Sequence, residues 1–210
     1  VAARFGMDWR LAFASEKRRT AILVSKPAHA LLELLWRYRV GELPMELRLV
    51  VSNHPDHKEE VERFGIPYHH VPVEKGKKEA AEERILALLE AEGVELVILA
   101  RYMQVLSPSF VGRFPMRIIN IHHSFLPAFT GANPYRQAYE RGVKLIGATA
   151  HYVTEELDQG PIIEQDVVRV SHRHSVPEMK RLGQELERTV LARAVRWHLE
   201  DRILVHGNKT

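Results

Sequence analysis

Asn120-Ile121-His122 places an amide and an imidazole two residues apart, at the end of the apolar run 117–123 and just before Leu126-Pro127. Residues i and i+2 of a strand project from one face, so Asn120 and His122 point together while Ile119 and Ile121 face away. A hydrogen-bond donor and an acid–base group on one face form half of an active site. The plainer reading is a polar strand end turning a corner, its His satisfied by a carbonyl. Burying either group without a partner costs about 1 to 3 kcal/mol, so each needs a hydrogen-bonding reason to be there. A second stretch, 151–161, carries His151 and Asp158 and ends in Asp158-Gln159-Gly160-Pro161, which reads first as turn chemistry between two strands.

The chain that must position these groups has 210 residues, enough for one large domain with a substantial core. No apolar run approaches the length of a membrane span, and no secretory signal opens the sequence. Cysteine is absent, which excludes disulfides and thiolate metal sites and fits a cytoplasmic protein. The formal net charge is +3 with basic residues scattered, so neither nucleic acid nor membrane is an expected partner. The densest basic cluster, 74–78, reads as the solvated start of a helix.

Strand and helix patterns alternate along the chain. Apolar, β-branched runs at 20–25, 46–52, 68–73, 94–100, 117–123, 145–153 and 162–170 predict strands. Helical periodicity predicts helices at 28–39, 57–64, 77–93, 107–114, 134–142 and from Ser175 to about Leu199. Ser175 and Glu178 have capping-box spacing at the start of the last helix. The pattern predicts an α/β fold, an open, mostly parallel sheet with helices on both faces. The last two strands are expected to pair antiparallel, near the C-terminal part. Asn120 and His122 then lie at the carboxyl end of a strand, where such sheets build ligand crevices.

Taken together, Asn-Ile-His followed by Leu-Pro and then Gly147-x-Thr-x-His151 with Leu157-Asp158-x-Gly-Pro resembles the active site of the folate-dependent formyltransferase family. The stretches 24–29, 100–111, 131–142 and 146–153 are closer to its deformylase branch than to the glycinamide ribonucleotide formyltransferases. The resemblance runs from Thr20 to about Leu204 and implies the Rossmann-like formyltransferase fold.

Asn120, His122 and Asp158 fall on the catalytic residues of that family. The resemblance implies a folate lying along Met103, Gln104, Val105 and Leu106, with Val111 lining an apolar wall. The turn containing Thr154 and Leu157 would close over the pterin, with His151 in the same neighbourhood. Asn133, Pro134 and Tyr135 would lie near the reacting carbon. The implied reaction is hydrolysis of 10-formyltetrahydrofolate to formate and tetrahydrofolate, feeding purine synthesis and balancing one-carbon pools. The folate is substrate, so no separate cofactor is expected, and a homo-oligomer is expected.

The chemistry explains these residue types. A formyl group on N10 is amide-like, so attack on its carbon builds charge on oxygen and leaves a poor nitrogen leaving group. An Asn N–H and an imidazolium aimed at that oxygen stabilise it, each such donor being worth on the order of 100- to 1000-fold in rate. A carboxylate beside an imidazole favours its charged form and can orient a water. Asp158 is therefore expected to position the attacking water and relay its proton toward N10.

One departure separates hydrolysis from transfer. The transferases carry a Gly-rich loop after the first strand, whose N–H groups bind the acceptor's phosphate. Here the loop is Ser25-Lys26-Pro27-Ala28-His29, without glycine and one N–H short at Pro27. Water then becomes the expected acceptor. The alternative, phosphoribosylglycinamide formyltransferase, shares the fold and the three polar residues. A metal hydrolase using His122, His123, His151 and Asp158 is disfavoured because adjacent strand residues 122 and 123 should face opposite ways. A non-catalytic folate sensor has no need of the full polar set. His69, His70, His172 and His174 read as surface or strand-edge residues.

Residues 1–18 fall outside the sheet pattern. Met7, Trp9 and Leu11 alternate with polar or small residues, as in a half-exposed strand. The segment resembles the connector that follows an ACT-type regulatory module in deformylases, so residues 19–210 are expected to form the catalytic domain.

Overall fold

Runs such as Leu96–Ala100, apolar at every position, suit a strand covered on both faces, and the long amphipathic stretches supply the covers. The structure is a computed structural model and describes residues 2–7, 11–13, 15–127 and 134–210. Its strands are β1 (Arg18–Val24), β2 (Met45–Ser52), β3 (Tyr68–His70), β4 (Leu96–Ala100), β5 (Ile118–His122), β6 (Leu145–Tyr152) and β7 (Ile162–Arg169). The helices are α1 (Ala2–Phe5), α2 (His29–Arg39), α3 (Lys58–Glu62), α4 (Lys78–Ala91), α5 (Pro108–Arg113), α6 (Pro134–Glu140) and α7 (Val176–Leu199).

The strands form one seven-stranded sheet in the order β3-β2-β1-β4-β5-β6-β7. The pairs from β3 to β5 are parallel, whereas β5–β6 and β6–β7 are antiparallel. The fold is therefore the mixed, mostly parallel α/β sheet expected, with the antiparallel part extending one pair further, to β5–β6. A turn-linked β6–β7 pair was legible, but the neighbour of β5 depends on how the segment after Leu126 crosses the sheet.

Strand alternation sorts the core. Ile22, Val24, Ile98, Ile119 and Ile121 meet Leu31, Leu34 and Leu35 of α2 and Val190, Leu191 and Val195 of α7. On the other face Leu23, Val97, Leu99 and Ile118 meet Ile85 and Leu89 of α4 and Phe110 and Val111 of α5. Each such side chain, fully buried, contributes roughly 1.5 to 3 kcal/mol.

Capping sets the helix starts. Ser175 accepts from the Glu178 N–H, and Glu178 accepts from the Ser175 N–H at 2.7 Å, the reciprocal box read from the sequence. Ser107 caps α5, accepting from the Phe110 N–H, with Pro108 in the first turn. The buried Glu82 carboxylate of α4 accepts from the Ser107 N–H at 3.0 Å and also from its hydroxyl. These bonds anchor one end of the loop 101–107.

The N-terminal expectation is corrected. Residues 2–5 are helical, and Met7 and Leu11 are 56% and 66% exposed, with no strand at 7 or 11–13. Their alternation has no sheet edge to receive it. Trp9 lies outside the described residues, as does Asn133. Among the described residues, no helix is long and apolar enough to cross a membrane.

Candidate active site

The sheet order reverses between β1 and β4, and open α/β sheets leave a crevice outside the strand ends at such a point. A cavity of about 670 Å3 opens beside it, over the ends of β4 and β5. Met103, Gln104, Val105 and Leu106 form one wall, and Thr154, Leu157 and Asp158 lie in the turn that forms another. Met103, Val105 and Leu157 are 55%, 57% and 63% exposed, so the mouth is edged by apolar side chains suited to a flat ring. Val111 is buried beside Leu106, Phe110 and Phe114, and of these four Leu106 lines the cavity.

Asn120 and His122 share the face of Ile118, as strand alternation requires. Across the antiparallel pair, Asn120 stands opposite His151. The His151 Nδ1 lies 2.9 Å from the Tyr152 carbonyl oxygen, which can only accept, so Nδ1 carries a proton. In the neutral ring Nε2 is then an acceptor for the Asn120 Nδ2–H at 3.2 Å, leaving the second amide N–H for the cavity.

Asp158 completes the group from the far side. Its Oδ2 lies 3.3 Å from His122 Nδ1, and its Oδ1 lies 3.6 Å from His151 Nε2. The hydrogen bond from His122, with the His151 ring beside it, holds its carboxyl well below the usual carboxylate range, against the opposing effect of burial. The turn that carries it is tightly built. Asp158 has φ 55°, and a Cβ on Gly160 would sit 1.8 Å from the Tyr152 carbonyl oxygen. Only glycine allows that approach. The other nitrogen of His122, Nε2, is buried without a hydrogen-bond partner among the described residues.

The loop after β1 is committed to the protein itself. Ser25 Oγ donates to Asn53 Oδ1 at 2.7 Å and accepts from the Met103 N–H at 2.9 Å. The Lys26 carbonyl lies 2.9 Å from His57 Nε2, and His29 Nε2 lies 2.7 Å from the buried Glu187 carboxylate. The bond to Met103 pins the second end of the loop 101–107.

A family model described as formyl transferase matches residues 18–195. The chain belongs to the formyl transferase family. Formyltetrahydrofolate deformylase of Bacillus subtilis is 57% identical over 210 residues, all of this chain and 70% of that protein. The crystal structure of a formyltetrahydrofolate deformylase from Pseudomonas syringae pv. tomato has a TM-score of 0.96 at 53% identity, covering 99% of this chain and 70% of that one. Glycinamide ribonucleotide transformylase 1 from Symbiobacterium toebii has a TM-score of 0.87 at 34% identity, covering 92% of each chain.

In this formyl transferase the cavity also contains residues that the motifs did not mark. Arg101, His123 and Tyr135 line it, and Glu187 of α7 lies behind them. The expectation that His122 and His123 face opposite ways is overturned. The strand ends at His122, and the two rings stand 5.2 Å apart, both on the cavity. Burial, with the Arg101 guanidinium and the His122 ring beside it, pushes the His123 imidazole down to about 4, with Glu187 and Asp158 opposing. Among the described residues, no three His, Asp or Glu side chains are grouped to hold a metal ion. The only signal of Arg101 in the sequence was its place directly after an apolar strand.

Proposed function

We propose that this protein hydrolyses 10-formyltetrahydrofolate to formate and tetrahydrofolate, supplying formate for purine synthesis and balancing one-carbon pools. The observation that carries the reading is the set of contacts Asn120–His151–Asp158–His122 at the edge of an apolar-rimmed cavity. The pteridine ring would lie against Met103 to Leu106 under the turn 154–157, with the formyl group reaching the polar end.

Water attacks the formyl carbon, and negative charge gathers on the formyl oxygen. The free Asn120 amide N–H and an N–H on His122 Nε2 are the donors for it. A carboxyl held as low as Asp158 is a weak base toward ordinary water. Its work is to orient the water, hold the His122 ring through Nδ1, and accept a proton as the new C–O bond makes that water acidic. When the C–N10 bond breaks, that proton passes to N10, and the formic acid released loses the water's second proton to solvent and leaves as formate. In a transferase the loop after the first strand would cradle an acceptor phosphate. Here Ser25, Lys26 and His29 are engaged with Asn53, His57 and Glu187, which favours water as the acceptor.

The test is incubation of the protein with 10-formyltetrahydrofolate and no acceptor, followed by a formate assay. Formate and tetrahydrofolate are expected in equal amounts, and added glycinamide ribonucleotide should leave the rate unchanged. A formylated ribonucleotide formed at a comparable rate would overturn the hydrolase reading in favour of transfer.

A further inference from the structure

The deep end of the cavity holds a cation that the mechanism above does not use. Arg101 directly follows β4, and its carbonyl accepts from the Ser25 N–H at 3.2 Å, where the sheet order reverses. Strand alternation would put its side chain with Val97 and Leu99, on the α4 and α5 face. A left-handed φ of 63° breaks the alternation, and the guanidinium instead meets Glu187 of α7, on the other face. Such a backbone in a non-glycine residue costs on the order of 1 kcal/mol or more, and it persists where the surroundings enforce it.

The Arg101 side chain is 13% exposed, and its ion pair with Glu187 measures 3.4 Å. Glu187 is itself 1% exposed and its oxygens are taken, one by His29 at 2.7 Å and the other by the Tyr135 hydroxyl at 2.8 Å. Gly183, one turn before Glu187, makes room for that hydroxyl, since a Cβ there would sit 2.1 Å from it. Burial works against the Glu187 carboxylate, yet His29, Arg101 and Tyr135 hold it below its ordinary range. The carboxylate therefore supplies charge to Arg101 without satisfying its donors. Among the described residues no hydrogen bond reaches the guanidinium, and Nε is buried. Nε lies against Glu187, and the two Nη groups of this always-charged side chain remain as donors for an anion entering the cavity that Arg101 lines.

Position narrows the ligand. Leu99 is in register with Asn120 one residue before β4 ends, and beyond that point Arg101 and His122 both line the same cavity. Hydrolysis of a neutral formamide creates a single new anion at this place, the formate carboxylate, whose two oxygens match the guanidinium fork. We propose that Arg101 is the carboxylate-binding residue for formate, gripping the product as it forms beside His122, and that buried Glu187 positions and partly neutralises it so that formate can leave. This rests on the hydrolase reading. Small carboxylates share this chemistry with the glutamyl tail of a folate, but Arg136 and Lys180 are the exposed cations on the outer wall, where a tail would emerge.

The test reads formate rather than turnover alone. With tetrahydrofolate present, the wild-type protein should broaden the 13C signal of added formate and show product inhibition by it. Arg101→Met should raise the formate inhibition constant at least tenfold and leave the KM for 10-formyltetrahydrofolate within about twofold. Arg101→Lys, which keeps the charge but loses the fork, should fall between. Glu187→Gln should shift the constant the opposite way, tightening formate several-fold, an effect that a merely structural role would not produce. No broadening by the wild-type protein overturns the proposal without any variant. So does a folded Arg101→Met or Arg101→Lys protein inhibited as strongly as wild type. A tenfold rise in folate KM with formate inhibition intact would assign Arg101 to the glutamyl tail instead. Failure of the wild-type protein to release formate from the folate is a separate result, and it would remove the hydrolase reading itself.

Discussion

Asp158 Oδ2 stands 3.3 Å from His122 Nδ1, and the same carboxylate reaches His151 Nε2 at 3.6 Å through its other oxygen. One carboxylate on a turn thus stands between two imidazoles from adjacent antiparallel strands, and the second imidazole accepts from Asn120.

Asp158→Asn keeps the size of the side chain and removes its charge. Turnover should fall on the order of 100- to 1000-fold while KM for the folate stays near wild type, because the interaction matters most as charge develops. Asn120→Ala should lower kcat by a similar factor. Steady-state kinetics check both, and a variant keeping more than about a tenth of wild-type kcat would remove the chemical role of that residue.

Gly160→Ala should destabilise the protein by about 3 kcal/mol, the upper end for overpacking, because the added methyl meets the Tyr152 carbonyl. The turn must shift to accept it, and Asp158 shifts with it, so kcat should fall on the order of 100-fold. Denaturant unfolding and kinetics on the same preparation are the measurements. Wild-type values in both would show that the turn does not set the position of the carboxylate.

His123 links stability to pH. Its imidazole is pushed from 6.5 down to about 4 in the folded protein. Between those values the unfolded chain binds the proton and the folded chain does not, so its contribution is fully present above 6.5 and lost as pH falls toward 4. The loss should be on the order of 3 kcal/mol. His123→Gln should flatten the stability profile across that window, as read from melting temperatures. An equally steep profile in the variant would place the dependence elsewhere.

Replacing Pro27, Ala28 and His29 by glycine should produce no appreciable formylation of glycinamide ribonucleotide. Backbone freedom returns, but the residues that would hold an acceptor amine near the formyl carbon do not. The change should cost about 1 to 3 kcal/mol, because the buried Glu187 loses the His29 contact at 2.7 Å. A product assay and an unfolding curve test the two halves. Robust transfer would show that the loop alone switches the reaction.

Much of this molecule follows from local pattern. Alternating apolar runs determined the sheet, Ser175 and Glu178 determined the start of α7, and the i, i+2 spacing placed Asn120 and His122 on one face. These are short-range effects, governed by backbone period and by hydrogen bonds a few residues apart, so the sequence alone carries them. Tertiary structure decided what depends on partners distant in the chain. It brought His123 to the cavity once the strand ended, and set β6 against β5, giving Asn120 its His151 partner. It also joined His29, Arg101, Tyr135 and Glu187 into one buried group. A charged side chain looks solvated in a sequence unless its counter-charge is known, and packing α7 against α2 and β5, within reach of Arg101, is what supplies that counter-charge here.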